Sequence, residues 1–152
     1  MVSVSDQLVM DCTVAVKWEI TGEPHAAEAV KLLRDWQHGV TGIHTPSHFR
    51  AEVVSAFLRA FRRGRITDVE AENSIRSLLA ASLQLHEICA GLADRAFAIA
   101  RRHGQGAFDC IYVALAEREG IEFWTADQRL YNALHAHYPF IRWLAHYQRR
   151  RP

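Results

Sequence analysis

Asp11, Glu52, Asp109 and Asp127 are the residues of this 152-residue chain whose types and settings point to chemistry. Asp11 ends the apolar run Leu8–Met10, and Glu52 lies inside the amphipathic pattern HFRAEVVSAFLRAF. Asp109 opens a second such pattern, FDCIYVALAE, and Asp127 follows the short apolar run FWTA. Acidic side chains are seldom fully buried unless they are paired or bound to metal. If folding draws these four together, their mutual repulsion calls for a counter-charge. A hard divalent cation, Mg²⁺ or Mn²⁺, suits carboxylate and water oxygens. Carboxylate groups holding such cations hydrolyse phosphodiesters.

The elements that must position these acids follow from the patterning. Residues 8–10 read as a strand buried on both faces, followed at once by a helix over 13–20. Pro24 and Gly39 bracket a second helix in the usual asymmetric way. Ile43 and His44 suggest a brief strand. Helical spacing then resumes at Phe49 and stops at Gly64. Thr67 with Glu70 has the form of a capping box for the next helix. A strand over 83–88, a helix over 92–103 and a Gly104–Gly106 loop follow. A helix starts at Asp109 and ends before Gly120. Then come a strand over 122–126, a helix over 127–136 and a last strand over 140–143. Short apolar strands alternating with longer helices predict an α/β fold, a parallel sheet with helices on both faces. Ligands in such sheets bind beyond the carboxyl ends of the strands. Asp11, Asp109 and Asp127 all fall on that edge, and Glu52 must reach it from the side of a helix.

Composition is that of an ordinary globular chain, with 49% hydrophobic and 23% charged residues. The formal net charge of +1 gives no global signal for nucleic acid. Lys17 and Lys31 are the only lysines, so the basic side is nearly all arginine, which suits bidentate contact with phosphate. Cys12, Cys89 and Cys110 have neither metal-ligand spacing nor an even-numbered framework, which suggests a reducing compartment. The N-terminus has no signal-peptide pattern, and no apolar stretch is long enough to span a bilayer. A cytoplasmic location without membrane attachment is expected.

With these segments in this order, the chain resembles the PIN-domain nucleases, and within them the VapC-type toxins of bacterial toxin–antitoxin pairs. LVMDCTVAVKW is similar to the family's opening strand, with its first acid and a hydroxyl residue two positions on. TPSHFRAEVVSAF resembles its Pro-then-Glu helix, AFDCIYVALAEREG its Asp-led Ala-rich helix, and FWTADQRL its Thr-x-Asp element. The resemblance covers nearly all of residues 1–152 and implies a single PIN domain with a Rossmann-like sheet. It implies an Mg²⁺- or Mn²⁺-dependent endoribonuclease acting on RNA, a homodimer, and a small cognate antitoxin as partner. It also implies that Asp11, Glu52, Asp109 and Asp127 form the catalytic site. Asp11 and Asp109 would be the foremost metal ligands, and Thr13 and Thr125 hydroxyls supporting them.

Competing readings attach to the same residues. Asp11 and Asp109 suit helix N-caps, Glu52 a solvated helix face and Asp127 a turn. A phosphoaspartate enzyme of the haloacid-dehalogenase kind wants a second Asp where Thr13 stands. His44 and His48 lack a zinc pattern, with Pro46 between them. The tryptophans suit packing better than base stacking. The run Arg59, Arg62, Arg63 and Arg65 fits a solvated helix end or a phosphate track beside Glu52. The tail Arg149–Arg151 reads as a frayed terminus. Cys12 and Cys110 follow two converging acids, but read as small buried residues turned away from the site rather than as a disulfide. A housekeeping RNA-processing nuclease and a catalytically silent RNA- or protein-binding module are the alternative functions.

Overall fold

The computed structural model describes residues 6–150. Five strands pair in parallel: β1 (Gln7–Met10), β2 (Gly42–Pro46), β3 (Gln84–His86), β4 (Glu122–Thr125) and β5 (Ile141–Trp143). Their order across the sheet is β3-β2-β1-β4-β5. The connecting helices are α1 (Cys12–Glu19), α2 (Ala26–Gln37), α3 (Phe49–Arg62), α4 (Asp68–Ala80), α5 (Ala90–His103), α6 (Ala107–Glu119) and α7 (Gln128–Leu134). The chain winds outward from β1 through β2 to β3, then returns to the far side of β1 for β4 and β5. The reversal between β1 and β4 leaves a crevice at the carboxyl edge, where such sheets bind ligands.

Burial explains the strands. Neighbouring residues of a strand face opposite sides of a sheet, yet Leu8, Val9 and Met10 are all 0% exposed, so helices cover both faces. Each such side chain contributes roughly 1.5–3 kcal/mol by leaving water. Helix α6 is buried continuously from Cys110 to Ala116, because it packs on β1, β2 and β4 from one side and on α5 from another. Gly120, at φ +67°, closes it in the left-handed conformation that favours glycine. Both halves of the capping box form at α4: Thr67 N–H donates to Glu70 Oε2 at 2.7 Å, and Glu70 N–H to Thr67 Oγ1 at 3.2 Å. No helix among the described residues is long and apolar enough to cross a membrane.

Three expectations change. The strand expected over 83–88 shrinks to Gln84–His86, an edge strand whose Gln84 and Leu85 are exposed. The helix expected to start at Asp109 starts at Ala107 with Gly106 as N-cap, which moves Asp109 into its first turn. Pattern reading placed the start on the acid because Asp is a common cap, whereas here the glycine serves.

The tail is not frayed at Arg149 and Arg150. Arg149 Nε donates to Asp35 Oδ1 at 3.2 Å, and Arg150 N–H and Tyr147 Oη–H both donate to Asp35 Oδ2 at 2.9 Å. The Arg150 side chain donates to Glu122 at 2.9 Å. Asp35, on α2, is wholly buried and holds the segment to the body of the molecule. Arg151 lies outside the described residues. The indoles pack as expected. Trp18 and Trp36 stack 6.1 Å apart, Trp124 is buried, and Trp143 lies 5.7 Å from Tyr131.

Candidate active site

Asp11 leaves β1 as the N-cap of α1, with its carboxylate accepting Thr13 N–H at 3.0 Å. The capping role and the buried site are therefore the same residue. Thr13 Oγ1 donates to Asp11 Oδ1, and Thr125 Oγ1 donates to Asp11 Oδ2 at 2.5 Å. Thr13 Oγ1 also accepts Ala126 N–H at 2.9 Å, and Thr125 Oγ1 accepts Asp127 N–H at 3.0 Å. The two hydroxyls thus join the ends of β1 and β4. Asp127 caps α7, accepting Leu130 N–H at 3.1 Å.

Glu52 reaches the same edge from α3. Tyr112 Oη, three residues beyond Asp109 on α6, donates to Glu52 Oε1 at 2.9 Å. His48 Nε2 lies 2.8 Å from that oxygen but off the line a hydrogen bond requires, and both nitrogens of its ring are buried without a hydrogen-bond partner. Asp109 stands over Gly106. A Cβ there would sit 3.2 Å from Asp109 Oδ2, so the glycine leaves the carboxylate its room.

Electrostatics show the convergence. Burial, chiefly, lifts the Asp11 carboxyl from 3.8 to about 7; the Thr125 and Thr13 hydrogen bonds oppose this, and repulsion from Glu52 and Asp109 adds to it. Burial also raises Asp109, helped by Asp127 and Glu52 and opposed by Arg129 and His48. No cation among the described residues pairs with Asp11. Asp11, Glu52 and Asp109 therefore repel one another at the β1–β4 crevice, and Asp127 acts on Asp109. No three His, Cys, Asp or Glu side chains among the described residues stand at closed ligating geometry. The donors fit a hard cation nonetheless, because Mg²⁺ keeps several waters and uses one or two carboxylates rather than a complete protein cage.

The neighbouring groups sort differently. Burial pushes the Cys12 thiol well up, with help from Glu52 and Asp11, and raises Cys110 to about 11. Both are free, so no disulfide joins them. His44 contacts Gln7 and His86, each at 2.8 Å, and shares no partner with His48. Arg59 lines a pocket of 370 Å³ with Thr13, His48, Glu52 and Phe108. Arg65 instead pairs with Glu23 at 2.5 Å, away from that pocket. Arg62 and Arg63 end α3 in exposed positions. A larger cavity of 620 Å³ opens at the opposite, amino edge of the sheet. Its acids are already paired, Glu117 with Arg95 and Glu122 with Arg142.

The sequence reading missed Tyr112, His48 and Phe108 as parts of this site. Spacing held the signal for two of them. His48 is one helical turn before Glu52 and Tyr112 nearly one turn after Asp109, so each shares a helix face with an acid.

The PIN domain profile matches residues 8–134. Ribonuclease VapC3 of Mycobacterium tuberculosis is 32% identical over 129 residues, covering 84% of this chain and 88% of that one. Among solved structures, a Pyrobaculum aerophilum protein superposes with a TM-score of 0.64 at 19% identity, over 85% of this chain and 80% of that chain. A toxin–antitoxin complex from Klebsiella pneumoniae gives 0.61 at 16% identity, over 89% and 95%. These two likenesses bear on the fold, whereas the profile and the sequence relative bear on descent. The crevice between β1 and β4, its four acids and the matched span agree, and the chain belongs to the PIN-domain family.

Proposed function

We propose that this protein is an Mg²⁺- or Mn²⁺-dependent endoribonuclease, the toxin of a toxin–antitoxin pair. The observation that carries the chemistry is Asp11, buried among other carboxylates with hydroxyl and amide donors but no cation among the described residues. Such a group is costly unless a counter-charge joins it. The ribonuclease name of the sequence relative supports RNA as substrate. The toxin–antitoxin structural neighbour supports a small antitoxin partner. A homodimer acting in the cytoplasm completes the reading.

Asp11 and Asp109 would hold the cation, with Glu52 and Asp127 completing the acidic wall. When bound, the cation would acidify a water and neutralise charge on the phosphate. Thr13 and Thr125 hold Asp11 in one orientation, as partners of metal-ligating carboxylates do. Tyr112 holds Glu52 through Oε1 and so fixes its carboxylate at the crevice. Water attacks phosphorus, a carboxylate of the group takes its proton, and the bond to the 3′ oxygen breaks. The products are a 5′-phosphate and, after protonation, a 3′-hydroxyl.

The test is cleavage of RNA by purified protein with Mg²⁺ or Mn²⁺. Excess EDTA should abolish turnover, and Asp109→Asn should do the same with the fold intact. Turnover undiminished by EDTA, in protein free of contaminating ribonuclease, overturns the metal mechanism. A silent module would show no cleavage under any condition.

A further inference from the structure

Phe108 is 66% exposed, the most exposed large apolar side chain among the described residues. It precedes Asp109 and lines the same pocket as Thr13, Glu52 and Arg59. A series of rings supports it from behind. Phe108 stacks on His48 at 5.3 Å and 28°, and His48 meets Tyr112 edge-on at 5.0 Å. Tyr112 in turn stacks on the buried Phe123 of β4 at 5.8 Å and 9°. The outermost ring is thus seated on the core, while one face of the stack remains open at the mouth of the acidic crevice.

We infer that the Phe108–His48 pair is a platform on which one unpaired base of the RNA, next to the cleaved phosphate, stacks. This rests on the ribonuclease reading. An aromatic face receives any base that is free of its own helix, and such stacking is a main source of single-strand affinity. Arg59, in the same pocket, supplies a cation for the adjoining phosphate. The surroundings favour a base over a protein partner. The exposed apolar residues Val54, Leu58 and Phe61 form a stripe on α3, but helical spacing puts it on the side opposite Glu52 and Arg59. Phe108 shares its pocket with small apolar side chains (Val16, Ala51, Ala56) and with Thr13, Glu52 and Arg59, a mixed lining that suits an apolar base face and its charged phosphate. A base held there has its phosphate beside the acids, so the platform selects unpaired over duplex RNA.

Phe108→Ala should raise KM on a short unpaired oligonucleotide about 5- to 150-fold, the range of one lost base stack. The kcat should change far less, and Phe108→Trp should restore KM. An oligonucleotide abasic at the flanking position should bind wild type and Phe108→Ala alike. A 2-aminopurine at that position, in EDTA, should be quenched by wild type and not by Phe108→Ala. Wild-type cleavage with KM and quenching unchanged in Phe108→Ala overturns the platform and leaves the ribonuclease reading standing. Unchanged KM together with loss of self-association would make Phe108 an interface between copies, and also overturns it. Absence of any RNA cleavage or binding by wild type overturns both.

Discussion

Two buried aspartates of this molecule have opposite surroundings. Asp35 is 0% exposed and Asp11 4%, so burial does not separate them. Asp35 receives a guanidinium, a phenol hydroxyl and a backbone N–H. Asp11 receives two hydroxyls and a backbone N–H, and faces Glu52 and Asp109. The first is electrically complete within the chain, and the second is not. A buried acid therefore marks a site by the sign of its neighbours, not by its burial.

The strongest way to break this comparison is through activity. Asp109→Asn or Asp11→Asn should lower RNA cleavage by more than the roughly 10- to 100-fold that losing a supporting residue costs. Asp35→Asn should leave turnover per folded molecule near wild type. Single-turnover assays on protein checked by circular dichroism read both. Equal losses at Asp35 and Asp11 would end the distinction.

Stability should show the converse. Asp35→Ala leaves the Tyr147 hydroxyl and the Arg150 N–H without their acceptor, while the half-exposed Arg149 guanidinium turns to water. It should cost about 1–3 kcal/mol for each stranded donor, a fall in Tm on the order of 5–10 °C. Asp11→Asn in EDTA should leave Tm level or higher, since it removes one of several repelling charges. Added Mg²⁺ should then stabilise wild type by about 2.7 kcal/mol at a hundredfold excess over Kd, and the variant by less. Equal Mg²⁺-induced shifts would remove Asp11 from the ligand set.

The pH profile sharpens the contrast further. A carboxyl raised to about 7 in the folded state keeps its proton where the unfolded chain has lost it. Its contribution is therefore fully present below the unfolded value near 3.8 and is lost as pH rises through about 7. Metal-free wild type should lose as much as about 4 kcal/mol across that window, an upper bound. Asp11→Asn should flatten the slope. Denaturant melts in EDTA at a series of pH values measure it, and a wild-type slope of the other sign would contradict the burial of Asp11.

The smallest effects belong to the arginines. Arg59→Gln should weaken RNA binding several-fold and reduce its salt slope by about one. Arg65→Gln, which loses only a half-exposed pair with Glu23, should cost at most about 1 kcal/mol of stability and leave RNA affinity alone. Identical binding profiles for the two variants would deny Arg59 its place on the substrate path.

Local pattern made the acids legible, because each sits where a period changes: strand to helix at Asp11 and Asp127, loop to helix near Asp109. Glu52 was legible only through its helix context and the family resemblance. Asp35 was not legible. It interrupts an amphipathic helix at a position where an acid reads as solvated, and its partners lie more than a hundred residues onward in an arginine-rich stretch. Tertiary partners of that kind leave no local period. Phe108 was equally hidden, since an apolar residue beside a buried helix reads as core.

Thr13 and Thr125 each take a backbone N–H on one side and face Asp11 on the other. An amide can only give its hydrogen, so each hydroxyl must send its own toward Asp11. While Asp11 is ionised, the hydrogens of the relay run from the β4–α7 turn into the carboxylate. Replacing either threonine by valine keeps the shape and erases the vector. Serine keeps both, so serine variants should function where valine variants fail.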